Sequence, residues 1–248
     1  MINTVIKILK KAGLNKVYRQ IEGVIPDRLN SEFKSLTFTP LVIKEEILPK
    51  YEEACKFLAE KIGRDAIGDY FEFGVSHGSS LNCMHKVLTA LKWDHVRIFG
   101  FDSFEGMPPN TENEDGGRWK EGDFASPLEA TSAFLTRNGI DWKRTFLIKG
   151  WYSATLTQDL IKKYNITKAS IIMIDCDIYS SAKESLNFCG PLIKDTAVVL
   201  FDDWVDDKEV GEYRAWSEFL TENPHFKSEE FGTYKPRGKL FVTTRQPV

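Results

Sequence analysis

The feature that most constrains this chain is a five-fold alternation of short apolar runs with amphipathic segments. The runs "DYFEFGV" (69–75), "VRIFGFD" (96–102), "TFLIKG" (145–150), "ASIIMID" (169–175) and "TAVVLFDD" (196–203) are of strand length and rich in aromatic and β-branched residues. Between and after them, residues 78–91, 127–139, 155–165, 181–189 and 211–223 carry apolar side chains at helical spacing. Strands joined through helices must run parallel, with helices on both faces, which predicts a doubly wound Rossmann-like α/β sheet. The ending departs from this rhythm. "FKSEEFGTY" and "GKLFVTTR", joined around Pro236–Gly238, predict a C-terminal antiparallel hairpin on a mostly parallel sheet.

Upstream, Tyr51, Ala54, Phe57, Leu58 and Ile62 mark a helix that begins near Lys50. Residues 1–45 read as an N-terminal extension and 46–248 as the main domain. Ile2, Val5, Ile6, Leu9 and Ala12 alternate with Lys7, Lys10 and Lys11, a helix expected to dock on the domain or on a second copy of the chain, with a membrane surface as the alternative. The apolar runs fall short of the ~20 residues that span a bilayer, and a signal peptide's apolar core is missing. Cys55, Cys83, Cys176 and Cys189 follow no zinc or disulfide spacing, so a reducing, cytoplasmic setting is expected. A net charge of −3 offers no global attraction for nucleic acid.

In doubly wound sheets ligands bind beyond the carboxyl ends of the strands, so the residues at those ends become the candidates. The first strand runs into Gly74, Val75, Ser76 and Gly78, then Ser79 and Ser80 at the start of a helix whose first N–H groups are free. The spacing is not that of a dinucleotide or P-loop fingerprint. Glu72, inside that strand, would repel a pyrophosphate and suits a ligand bearing an ammonium. The second strand ends at Asp102, followed by Ser103, where a ribose diol is commonly held. A nucleoside without pyrophosphate but with an amino-acid tail satisfies both, and S-adenosylmethionine is such a molecule.

The fourth and fifth strands end in Asp175 and Asp177, and in Asp202 and Asp203. If the two strands are neighbours, four carboxylates gather. Two carboxylates ~4 Å apart repel by roughly 4 kcal/mol at an effective dielectric near 20. Such a cluster must hold protons or a cation, most naturally Mg²⁺. A nicotinamide-dependent oxidoreductase explains neither Glu72 nor the acids. A metal-dependent phosphohydrolase leaves the glycine turn and Asp102 without a role. A non-catalytic binding protein on the same fold is the third alternative. Residues 103–124, polar and long, predict a lid over the pocket. Ser181 and Glu184 have the spacing of a capping box.

The ordered set "FEFGVSHGSS", "FGFDSFEGMPP", "EGDF", "IKGWYSATL", "IDCDIYSSA" and "VVLFDDW" resembles the macrocin O-methyltransferase family from about residue 45 to 245. The resemblance implies a class I fold and S-adenosylmethionine- and metal-dependent methylation of sugar hydroxyls. It implies that Asp175, Asp202 and Asp203 are metal ligands and that Asp177 is the general base. It also implies cofactor contacts from Glu72, Gly74, Val75, Ser76, Gly78, Ser79 and Ser80, from Asp102 and Ser103, from Gly122, Asp123 and Phe124, and from Asp175. The expected acceptor is a small molecule or glycan. Two departures stand out: Cys176 lies where the family usually has glycine, and Ser180 where it commonly has glutamate.

Overall fold

The computed structural model describes residues 42–206 and 210–247. The expected helix within the first 16 residues lies outside them. Among the described residues seven strands form one sheet: β1 (Asp69–Phe73), β2 (Ile98–Asp102), β3 (Thr145–Lys149), β4 (Ala169–Ile174), β5 (Thr196–Phe201), β6 (Phe226–Lys235) and β7 (Gly238–Arg245). Their spatial order is β3-β2-β1-β4-β5-β7-β6. The first five pair in parallel, β7 pairs antiparallel with β5, and β6 closes the hairpin as the outermost strand. The predicted doubly wound sheet with its terminal hairpin is what forms.

The helices divide between the two faces. Helices α1 (Lys44–Ile62), α2 (Ser79–Ala90) and α3 (Leu128–Arg137) cover one face. Two short helices, α4 (Tyr152–Thr155) and α5 (Gln158–Tyr164), and the longer α6 (Tyr179–Cys189) and α7 (Gly211–Glu222), cover the other. Helix α1 begins a turn and a half before Lys50 and takes Pro49 within its span. The predicted 155–165 helix is two pieces, because Thr157 leaves helical geometry and caps α5 through Leu160 N at 3.3 Å.

Alternation along β1 decides which side chain meets which layer, because successive residues of a strand point to opposite faces. Phe71 and Phe73 point toward α6, where they pack with Phe99, Phe101 and Phe188 at ring centroid separations of 4.7–6.4 Å. Each such fully buried ring contributes about 2–3 kcal/mol of transfer free energy. Tyr70 and Glu72 point the other way, under α1 and α2. Tyr51 of α1 and Tyr70 share a hydrogen bond at 2.8 Å, Tyr70 donates to Glu72, and Ser80 of α2 donates to Glu72 at 2.7 Å.

The sheet opens a crevice where its order reverses, between β1 and β4. Here Gly74 (φ +90°) passes so close to the β4 terminus that a Cβ would lie 1.6 Å from the Asp175 carbonyl oxygen. Only glycine fits. Replacing it with alanine combines that overlap with a left-handed backbone, and should lower unfolding free energy by at least ~3 kcal/mol. A urea midpoint for Gly74→Ala equal to that of the parent chain would refute this account of the crevice.

Candidate functional site

A cavity of about 580 Å³ lies over the carboxyl ends of β1, β2, β4 and β5. Gly74, Ser76, Asp102, Ser103, Asp123, Phe124, Asp175, Asp177, Asp202 and Asp203 all line it. Glu72, Val75, Gly78, Ser79, Ser80 and Gly122, also singled out in the sequence, do not reach its surface. Glu72 is fully buried below the glycine turn, with its oxygens engaged by Tyr70 and Ser80.

Asp102 shapes the turn from the neighbouring strand. Its Oδ2 accepts from Val75 N (2.8 Å) and Ser76 N (2.7 Å), and its Oδ1 from Phe104 N (2.6 Å). Burial raises its pKa, and these three N–H groups pull it back. Much of its acceptor capacity is therefore spent on the protein, so any ribose bound here shares it. The long loop after β2 is folded against itself. Met107 N donates to Asp123 O (2.9 Å) and Gly122 N to Met107 O (3.0 Å). A Cβ on Gly106 would lie 2.5 Å from Gly122 O, which is why that crossing needs glycine. Met107, Pro108, Pro109, Trp119 and Phe124 form this side of the cavity wall, with Trp151 and Tyr152 also lining it.

Strands β4 and β5 are neighbours, and Asp202 N extends their ladder by donating to Ile174 O at 3.0 Å. Ligand oxygens of Asp175, Asp202 and Asp203 come within 4.8 Å of one another. Asp177 follows in a left-handed conformation (φ +61°), a strained geometry for a residue with a side chain. Burial pushes the Asp175 carboxyl well above its usual range, and the charges of Asp202, Asp203 and Asp177 push it further. Burial, then Asp203, pushes Asp177 up to about 9.

Five participants were not legible in the sequence. Tyr234 and Lys235, at the end of β6, both donate to Asp202, one to each oxygen. They arrive only because β7 inserts beside β5 and carries the hairpin tip over the acids. No periodicity signals this. Glu212 is fully buried beneath the cluster; its Oε2 accepts from Asp203 N at 3.0 Å and its Oε1 has no hydrogen-bond partner among the described residues. Burial and the charges of Asp203, Asp202 and Asp177 raise its carboxyl well above the usual range. Asp115 and its neighbour Glu114 reach in from the long loop. Glu114 accepts from Ser180 N (3.0 Å) and Ser180 Oγ (2.8 Å), so the helix end that carries serine in place of glutamate receives its carboxylate from elsewhere. The expected Ser181–Glu184 capping box does not form, because α6 already begins at Tyr179 and its N-terminus is capped by the loop acids. Cys176 is buried and lines the cavity, with its thiol pushed up by burial. All four cysteines are free and buried. Among the described residues no helix is long and apolar enough to cross a membrane.

Residues 47–226 match the model of the macrocin-O-methyltransferase family. The chain is 25% identical over 217 residues, covering 81% of this chain and 79% of the relative, to the 8-demethyl-8-(2,3-dimethoxy-alpha-L-rhamnosyl)-tetracenomycin-C 4'-O-methyltransferase of Streptomyces olivaceus. Among solved structures it resembles the O-methyltransferase NovP, with a TM-score of 0.68 at 17% identity and full coverage of both chains. It also resembles the calicheamicin methyltransferase CalS11, with a TM-score of 0.59 at 19% identity, covering 89% of this chain and 93% of that one. These two likenesses carry the fold.

Glu72 gives the folded protein a measurable pH signature. Burial, opposed by hydrogen bonds from Tyr70 and Ser80, raises its carboxyl to about 8, whereas in the unfolded chain it ionises near 4.5. Between those values the folded state holds a proton that the unfolded state has released. The stabilisation is thus complete below about 4.5 and is lost as pH rises through about 8. In chemical denaturation across this window, the difference in stability between the parent chain and Glu72→Gln should change with pH, with the variant losing less as pH rises. Parallel curves would contradict the assignment.

Proposed function

Because the chain belongs to the macrocin-O-methyltransferase family, we propose that this O-methyltransferase moves the methyl group of S-adenosylmethionine to a hydroxyl of a sugar, on a glycosylated natural product or a polysaccharide. A divalent ion, Mg²⁺ most naturally, is held in this reading by Asp175, Asp202 and Asp203. The observation that carries the proposal is the carboxylate cluster at the ends of two adjacent strands, open to the same cavity as the glycine turn. The donor set fits a hard cation: three carboxylates with oxygens within 4.8 Å of one another, where burial and neighbouring carboxylates oppose the ionisation of Asp175 and Asp202. The activity for which the tetracenomycin relative is named, on a rhamnosyl group, supports a sugar acceptor.

An alcohol is a weak nucleophile at neutral pH. Bound at the acids, a divalent ion would supply the positive charge that eases loss of the hydroxyl proton. Asp177 takes that proton. It lines the same cavity as the three acids and stands beside Asp203, where an acceptor hydroxyl held at the acids would meet it. Gly74, Ser76, Asp102, Ser103 and Asp175 face the donor. Glu72, Val75, Gly78, Ser79 and Ser80 support that turn from behind. The loop containing Gly122, Asp123 and Phe124 closes one side and, with Trp119, Trp151 and Tyr152, excludes water from the transfer. Holding acceptor and donor in line is the remaining contribution, and orientation of this kind supplies about 7 kcal/mol or more in well-aligned systems.

Calorimetry with S-adenosylmethionine, joined to a methyl-transfer screen on glycoside acceptors with Mg²⁺ or EDTA, tests this reading. Donor binding and chelator-sensitive transfer are expected. A chain that binds no donor sinks the proposal, and transfer that survives chelation removes the metal from it. Asp175→Asn and Asp202→Asn should abolish turnover with donor affinity kept within a few-fold. Asp177→Asn should slow transfer about 10²–10⁴-fold, the usual scale for loss of a general base, while keeping cation affinity. Cation affinity lost in Asp177→Asn would instead make it a ligand.

A further inference from the structure

We infer that Asp115 is a positioning residue that locks together the two chain segments carrying the cluster acids, and ties the closed loop to both. The inference rests on the proposed metal and base roles of those acids. The sheet itself aligns Asp175 with Asp202, because the β4–β5 ladder extends as far as Asp202 N. Asp177 and Asp203 lie beyond the ladder, in turns, where strand pairing no longer sets their separation. The segment after Asp177 leads into α6 at Tyr179, and the segment after Asp203 leads into α7 at Gly211.

One carboxylate spans these two helix starts. Asp115 Oδ2 accepts from Tyr179 N at 2.9 Å, and Asp115 Oδ1 accepts from Gly211 N at 2.9 Å. Its partners are 64 and 96 residues away in sequence. Both N–H groups belong to first turns of helices, which lack partners of their own and sit at the positive end of the helix dipole, so a carboxylate is suited to hold them. From each anchor the path to an acid is short. Tyr179 is two residues past Asp177. Gly211 is followed by Glu212, whose carboxylate accepts from Asp203 N at 3.0 Å. The two segments also touch directly: a Cβ on Gly211 would lie 3.2 Å from the Asp177 carbonyl oxygen. Glu114 adds a second tie to the α6 end through Ser180, a residue of the cavity wall. Asp115 itself sits in a left-handed conformation (φ +49°) before Gly116 and Gly117, in the same loop that supplies Trp119, Asp123 and Phe124 to the cavity. Docking of this loop and alignment of the base with the third ligand are thereby one event.

Asp115→Ala and Asp115→Asn in the full chain test this. The amide of Asn keeps one acceptor oxygen and places its NH₂ against the other N–H, so it severs one tie; Ala severs both. Partners one step removed from metal ligands change affinity or activity about 10–100-fold when lost. Mn²⁺ affinity by calorimetry and kcat for methyl transfer should therefore each fall about 10–100-fold in Asp115→Ala and less in Asp115→Asn. KM for S-adenosylmethionine should change less than kcat, because most of its proposed contacts lie at the ends of β1 and β2, and the loop adds Gly122, Asp123 and Phe124. Mn²⁺ affinity and kcat within twofold of the parent in both variants would overturn the inference while leaving the proposed function standing. A parent chain that binds no Mn²⁺ overturns this inference and removes the metal from the proposed function. If Asp115→Ala does not fold, Asp115→Asn decides by the same two measurements.

Discussion

Like-charge repulsion at the ends of β4 and β5 is the constraint around which the site is arranged. Asp175, Asp177, Asp202 and Asp203 are brought together in one place, and burial there already disfavours the ionised forms of Asp175, Asp177 and Asp202. Contacts reach the cluster from three directions, and the first of them brings positive charge. Lys235 and Tyr234 meet Asp202 from above. Glu212 takes the Asp203 N–H from below. The loop acids hold the starts of α6 and α7 to either side. A fold that only needed to be stable would place apolar side chains here, since an unbalanced buried charge costs several kcal/mol. Keeping the acids is a cost borne for chemistry.

Residue chemistry at the strand ends carried much of the outcome. The alternation of apolar runs with amphipathic segments is a strong signal, because parallel strands buried on both faces must be apolar throughout and their connections must be helical. The breaks in those runs, at Gly74, Asp102, Asp175 and Asp202, mark where strands leave the core and meet the crevice. These positions were readable because each is set by its own strand.

What escaped the sequence depends on contacts between distant segments. Glu72 shows the difference well. Its charge suggested an exposed partner for an ammonium, but period-two alternation along β1 turns it under α2, to Tyr70 and Ser80. Ser181 and Glu184 have capping-box spacing, yet the cap comes from Glu114 and Asp115, more than sixty residues earlier. Cys176 stands where the family usually has glycine, and its small side chain joins the apolar packing on the α6 face of the sheet. Glu212 lies one residue into a helix with nothing nearby in sequence to announce it.

The hairpin insertion has a consequence for how the molecule is made. Strand β5 pairs on its outer side with β7, and β7 with β6, so the central strand that presents Asp202 borders on residues 238–245. A chain emerging from the ribosome exposes β5 as an unpaired edge until those residues are free to insert. Through that interval the nascent protein has an open apolar strand edge, the kind of surface that recruits foreign strands or chaperones. Completion of the sheet and arrival of Lys235 over Asp202 then coincide, so the acidic cluster first meets its internal counter-charge at the step that also seals the fold.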